Sequence, residues 1–186
     1  RMSDEDAKLS ITAKDSTGQT VNTENGVISN LKWLNYNDTS LNTNIGYYFP
    51  ENSEVTISTE ISTQNQKDIR NVSSQNDNII TQKYFTMTFE HGKNKDSNYS
   101  YVVIPNTDAA QMENYAANPD ITILENSKNI HAVRDDKNQI TAINFFEAGQ
   151  SSGVKTSSPV SMLIKKSDNT VTIALSDPLF NQKEVK

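Results

Sequence analysis

An all-β fold, stacked antiparallel sheets with one short helix, is what the 186-residue sequence predicts, on three observations. Apolar and polar residues alternate with period 2 along most of the chain, the signature of strands with one buried face. Asn, Ser and Thr together make up roughly a third of the residues, well above ordinary usage. Thr favours strands and the other two favour turns. Finally, ten or more strand-like runs recur at roughly ten-residue spacing, with turn chemistry between them.

The elements follow in order. Leu9, Ile11 and Ala13 alternate with Ser10 and Thr12 ahead of a turn at Asp15-Ser16-Thr17-Gly18. The Asn25-Gly26 turn signal opens a strand from Val27 to Leu34. Gly46-Tyr47-Tyr48-Phe49 reads as a strand that stops at Pro50, which has no N–H for a ladder. Val55, Ile57, Thr59 and Ile61 share one face of the next. A long strand from Asn78 to Glu90 turns through His91-Gly92 and returns over Tyr99 to Ile104, which predicts a hairpin closed at Pro105.

Thr107 to Asn118 is different: Ala-rich, with Met112, Tyr115 and Ala116 at helical spacing. Thr107 or Asp108 can cap it and Pro119 ends it, so a short helix is expected whose apolar face covers a sheet edge. Strands resume at Ile121–Leu124, Ile130–Arg134, Ile140–Phe146, Val160–Ile164 and Val171–Leu175. The Gly/Ser-rich stretch from Ala148 to Ser158 is the best internal boundary. It divides a β-sandwich over 1–150 from 151–186, the start of, or a segment joining, a small C-terminal β-domain.

Composition excludes several function classes. No apolar run approaches the roughly 18 residues of a membrane-spanning helix. Zero cysteine removes disulfides, thiolate zinc sites and cysteine nucleophiles. A formal net charge of −6 argues against nucleic acid, whose phosphates need clustered Lys and Arg. No Gly-rich phosphate loop, EF-hand spacing or Gly-x-Ser-x-Gly elbow is present, so no cofactor or metal is implied.

The remaining chemistry is sparse. His91, at a strand end, and His131, within a strand, are the only imidazoles, and forty residues between them is no metal-ligand spacing. Paired carboxylates stand at Asp135-Asp136, at Asp4-Glu5-Asp6 and at Glu51/Glu54, the first in an evident turn. Asn37-Asp38-Thr39, Asn71-Val72-Ser73 and Asn98-Tyr99-Ser100 match the glycosylation pattern at the frequency this composition gives by chance. Trp33, Tyr36, Tyr47 and Tyr48 cluster in sequence, as aromatics do where a sheet stacks on sugar rings and also where they fill a core. Residue chemistry alone leaves a catalytic, a carbohydrate-binding and a purely structural β-domain open.

A resemblance narrows this. Tyr84-Phe85-Thr86-Met87-Thr88-Phe89-Glu90-His91-Gly92, followed by Tyr99-Ser100-Tyr101-Val102-Val103-Ile104-Pro105-Asn106, resembles the β-sandwich region of family 8 polysaccharide lyases, which include hyaluronate, chondroitin AC and xanthan lyases. Asn44-Ile45-Gly46-Tyr47-Tyr48-Phe49-Pro50 precedes this stretch in the same order. Ile121-Thr122-Ile123-Leu124-Glu125-Asn126, His131-Ala132-Val133-Arg134, Asn144-Phe145-Phe146 and Val171 to Pro178 follow it. The pattern is most similar to hyaluronate lyases of Gram-positive cocci.

The resemblance implies a secreted parent enzyme that cleaves hyaluronan, or chondroitin, by β-elimination. It implies that the catalytic Asn, His and Tyr sit in an N-terminal α/α toroid, the main partner of this region. No catalytic residue is therefore carried onto this chain, and neither His91 nor Tyr84 is read as one. If this region touches sugar, Asn44, Tyr47 and Tyr48 are the expected contacts. Arg1 is no ordinary translation start, so the sequence is expected to be a piece of a longer polypeptide, inactive by itself.

Overall fold

The computed structural model describes residues 1–69, 79–93 and 95–180. The Asn71-Val72-Ser73 pattern and Asn78, the expected first residue of a strand, lie outside them. The chain divides into two compact units, Arg1–Lys95 with Tyr101–Ala116, and Asp96–Ser100 with Ala117–Lys186. The division falls at Ala116/Ala117, not at 150/151.

In the first unit β1 (Met2–Asp4), β2 (Leu9–Asp15), β3 (Gly26–Asp38), β4 (Thr43–Asn65), β5 (Ile79–Thr88) and β6 (Val102–Pro105) form one antiparallel sheet. A four-residue helix, α1 (Gln66–Ile69), follows β4 directly. β4 organises the sheet because 23 residues can serve several partners. One edge pairs with β3, and the other takes β6 at residues 45–48 and β5 at residues 56–65. The hairpin expected between residues 84 and 104 is therefore absent: β5 and β6 both pair with β4, not with each other.

Pro50 does not end its strand either. Between the pairs Trp33↔Tyr48 and Leu31↔Ser53 four residues of β4 oppose one of β3, and Pro50 sits in that bulge, where no ladder needs its N–H. Bulges bend the long strands so that their halves face each other over a core of Leu31, Leu34, Tyr36, Phe49, Val55, Ile57 and Phe85. Tyr36 on β3 and Phe85 on β5 meet there with ring centres 5.3 Å apart. Val55 and Ile57 are buried as their alternation demands, whereas Ile61, further along β4, is 62% exposed.

The expected helix is present as α2 (Ala109–Ala117). Asp108 caps it: Oδ1 accepts from Gln111 N at 2.8 Å while Gln111 Oε1 accepts from Asp108 N at 3.0 Å, a reciprocal capping box. Its apolar side lies on the sheet face opposite the main core. There Met112 packs on Trp33 and Tyr48, with Val102, Ile104, Tyr115 and Ala116 around them.

The second unit is a five-stranded antiparallel sheet of β7 (Ile121–Asn126), β8 (Ile130–Asp135), β9 (Ile140–Phe145), β12 (Val160–Ser167) and β13 (Thr170–Ser176), in the order β13-β12-β9-β8-β7. The stretch read as a boundary is instead a hairpin, β10 (Gly149–Ser151) and β11 (Val154–Thr156). It turns at Ser152 (φ 51°) and Gly153 (φ 78°), both left-handed, as a two-residue turn matched to strand twist requires. Val154 packs on the core of Ile130, Ala132, Ile143, Phe145 and Val160. A Cβ at Gly149 would lie 3.1 Å from Ile130 Cδ1. Glycine there lets the hairpin close down, which is why this small-residue stretch is packed structure and not a linker.

Candidate functional site

Strand alternation separates the two tyrosines expected to touch sugar. Tyr47 points into the main core and Tyr48 to the helix side. The Tyr48 ring is 4% exposed, edge-on to Tyr115 (5.3 Å) and with Lys32 Nζ 4.9 Å above it. A sugar could stack on Tyr48 only if α2 moved away. Tyr47 is 9% exposed and neighbours Tyr101, ring centres 6.5 Å apart. Burial pushes its phenol above the ordinary tyrosine range, against the opposing charge of Arg1. Asn44 is half-buried. Its carbonyl accepts from Asn106 N at 3.0 Å, while its side-chain Oδ1 is buried without a partner. The three residues thus share no common surface.

What this part of the sheet does present is a seat for α2. Asn35 donates to the Thr107 carbonyl and, at 3.3 Å, to the Ile45 carbonyl, holding the chain just before the helix. Gly46, cross-strand from Asn35, leaves room for Met112: a Cβ there would lie 2.1 Å from Met112 Sδ. Lys14 on β2 pairs with Glu113 on the helix at 2.7 Å. Met112 stands out in the sequence as part of a helix face, but Asn35, Gly46 and Lys14 do not, because the seat exists only once α2 has docked from sixty residues away.

The Asp135-Asp136 pair is bound into a turn. Asp135 accepts from Asn138 N at 2.9 Å and Asn138 Nδ2 at 2.7 Å, and Asp136 takes Arg134 Nε and Nη2 at 2.6 and 3.2 Å. Hydrogen bonding by Asn138 and by Arg134 holds the respective carboxyls below the usual range. Glu54 accepts from Ser29 at 3.3 Å on an exposed surface. Among the described residues no group of three His, Asp or Glu side chains converges in a way that could hold a metal ion.

The two histidines belong to different units. His91 is half-buried in the segment after β5. His131 is exposed on β8, with its ring edge-on to Phe146 at 5.0 Å. Register places it in a cross-strand row: Asn126↔His131, His131↔Asn144, Asn144↔Ser161 and Ser161↔Ser176. Directly paired residues project on one face. The row therefore crosses all five strands on the face opposite Ile130, Ala132, Ile143, Phe145 and Val160. Its neighbours along the strands are Val133, Ala142, Leu163 and Ala174 on one side and Phe146 and Pro159 on the other. Each member sits in an ordinary strand, so only the register reveals the row.

Two family descriptions match the chain, in order. Residues 3–116 match the super-sandwich domain of polysaccharide lyase family 8, and residues 122–186 its C-terminal beta-sandwich domain. Hyaluronate lyase HylB of Enterococcus faecalis is 29% identical over 158 residues, 83% of this chain but 16% of that enzyme. Xanthan lyase of a Bacillus species is 29% identical over 171 residues, 88% of this chain and 18% of that enzyme. Among solved structures, a Paenibacillus xanthan lyase superposes with a TM-score of 0.85 at 25% identity, covering 96% of this chain and 18% of that one. This chain thus spans less than a fifth of the length of these relatives. With both of its units accounted for by successive domains of one family, the chain belongs to polysaccharide lyase family 8.

Proposed function

We propose that this chain is the β-rich portion of a secreted lyase that cleaves hyaluronan, or chondroitin, by β-elimination, and that it supports the catalytic cleft without supplying the reacting groups. The observation carrying this reading is the match of both units to non-toroidal domains of a lyase family, within relatives of which the chain covers less than a fifth. The side chains agree with it. Tyr36, Tyr47 and Tyr48 are buried in packing roles, and the exposed imidazole of His131 meets a phenylalanine and not a phenol. A base and an acid in β-elimination must both reach the sugar ring. The partner this reading requires is the helical toroid of the same polypeptide.

Charge supports the same division. A chain at −6 repels a polyanion on average, although exposed like-charge pairs cost only a few tenths of a kcal/mol each. The cationic groups that neutralise a uronate then belong to the toroid. The test is a substrate panel with the complete polypeptide, following the ultraviolet absorbance of the unsaturated product on hyaluronan, chondroitin and xanthan. Faster turnover of hyaluronan is expected. Turnover of xanthan alone would overturn the substrate assignment, and no turnover of any uronate polymer would overturn the reading itself.

A further inference from the structure

We propose that the row Asn126, His131, Asn144, Ser161 and Ser176 is a glycan-binding strip, separate from any catalytic cleft, that holds a linear uronate-containing saccharide laid across the strands. The inference rests on the reading of the parent as a uronate-polymer lyase. Its own evidence is the surface of the second unit.

The row is made of hydrogen-bonding groups with little else to do. Among the described residues no hydrogen bond engages the side chains of Asn144, Ser161 or Ser176, and Asn126 uses one amide hydrogen on the Tyr99 carbonyl at 3.2 Å. Together the row offers amide donors and acceptors, two hydroxyls and an imidazole, the mixture that pairs with sugar hydroxyls and carboxylates. Burying it against a dry protein surface would strand these groups, each at a cost of about 1–3 kcal/mol. A ligand rich in hydroxyls satisfies them.

Spacing and charge specify the ligand further. Neighbouring strands lie about 4.8 Å apart, so five row members span about 19 Å at intervals close to the length of one pyranose unit. Beside the polar row run the apolar side chains of Val133, Ala142 and Leu163, the last 41% exposed. At its edge stands Phe146, 52% exposed, beside His131. These can cover the C–H faces of sugar rings while the row meets their hydroxyls. In a chain with 22% charged residues the row and these strand neighbours carry no carboxylate, and His131 is their one ionisable group. An acidic protein has here kept a path open to an acidic polymer.

The test titrates the isotopically labelled 186-residue chain, and its Asn144→Asp and Phe146→Ala variants, with hexasaccharides of hyaluronan, chondroitin and cellulose, reading amide and imidazole chemical shifts. Both substitutions are at exposed positions, and matching spectra of the unliganded variants establish that they fold. Hyaluronan or chondroitin should move the signals of the five row residues. Phe146→Ala should weaken binding about 3- to 10-fold, and Asn144→Asp, which sets a carboxylate in the path, at least as much. Binding of the cellulose hexamer alone, lost in the same variants, would uphold the strip and overturn the uronate reading. Binding that both variants retain, or no binding of any hexamer at millimolar concentration, would overturn the strip.

Discussion

Asn35, Gly46 and Met112 show how three unremarkable residues decide where a helix sits. Gly46→Ala forces a Cβ to 2.1 Å from Met112 Sδ, so the side chain or the helix must shift. Overpacking of this kind costs about 1–3 kcal/mol. Met112→Ala, which empties a fully buried site, should cost about 2–5 kcal/mol. The informative outcome is the double variant. Because the methyl added at Gly46 enters the space Met112 leaves, chemical denaturation should show less destabilisation than the sum of the single changes. Strict additivity would mean that α2 does not rest on Gly46.

Asp38 makes a pH-dependent prediction at the same scale. Its side chain is buried, its Oδ1 accepts from Ser40 N at 3.0 Å and Leu41 N at 3.3 Å, and Ser3 stands beside it, bonded to Tyr36 Oη at 2.6 Å. The neighbouring Ser3 hydroxyl and the two backbone donors hold this carboxyl below its ordinary value, against burial that raises it, while its Oδ2 is buried without a hydrogen-bond partner. A carboxyl depressed in the folded state contributes stability that is complete above its unfolded pKa of about 3.9 and is lost as pH falls through the folded value. Asp38→Asn should therefore be destabilising at neutral pH, and the gap to the parent should close as pH drops below about 4. Urea midpoints measured from pH 7 to pH 3 give that difference directly.

At the scale of elements, what was legible depended on whether the determining contacts are local. The helix was legible because Asp108, Gln111 and Pro119 are local punctuation, and its ends fall within two residues of expectation. Asp108→Ala should cost about 1 kcal/mol through loss of the cap, readable as a lower thermal midpoint. The hairpin expected between Tyr84 and Ile104 was not legible, because both strands take β4 as partner and alternation names a face, never a neighbour. Pro50 lies within a strand for a related reason: the residues that make its position a bulge lie on β3. The Gly/Ser stretch of residues 148–158 carries turn chemistry, and only the packing of Gly149 and Val154 distinguishes a docked hairpin from a linker. Gly153→Ala, which sets a Cβ at φ 78°, should cost about 1–2 kcal/mol, seen as a lower urea midpoint.

At the scale of the molecule, the sequence carried its class and family but not its surface. Alternation already separates Tyr47 from Tyr48, yet nothing local says which face a helix covers and which closes into a core. The row on the second sheet needs four pairing registers before its members become neighbours. The reacting groups are proposed to lie outside these 186 residues, consistent with side chains that pack, cap and bond in turns. Its most direct test is to incubate the purified chain alone with hyaluronan and chondroitin and follow the ultraviolet absorbance of unsaturated uronate. No product is expected at any chain concentration. Product that accumulates in proportion to chain concentration, and disappears when His91 or His131 is replaced by Ala, would contradict it.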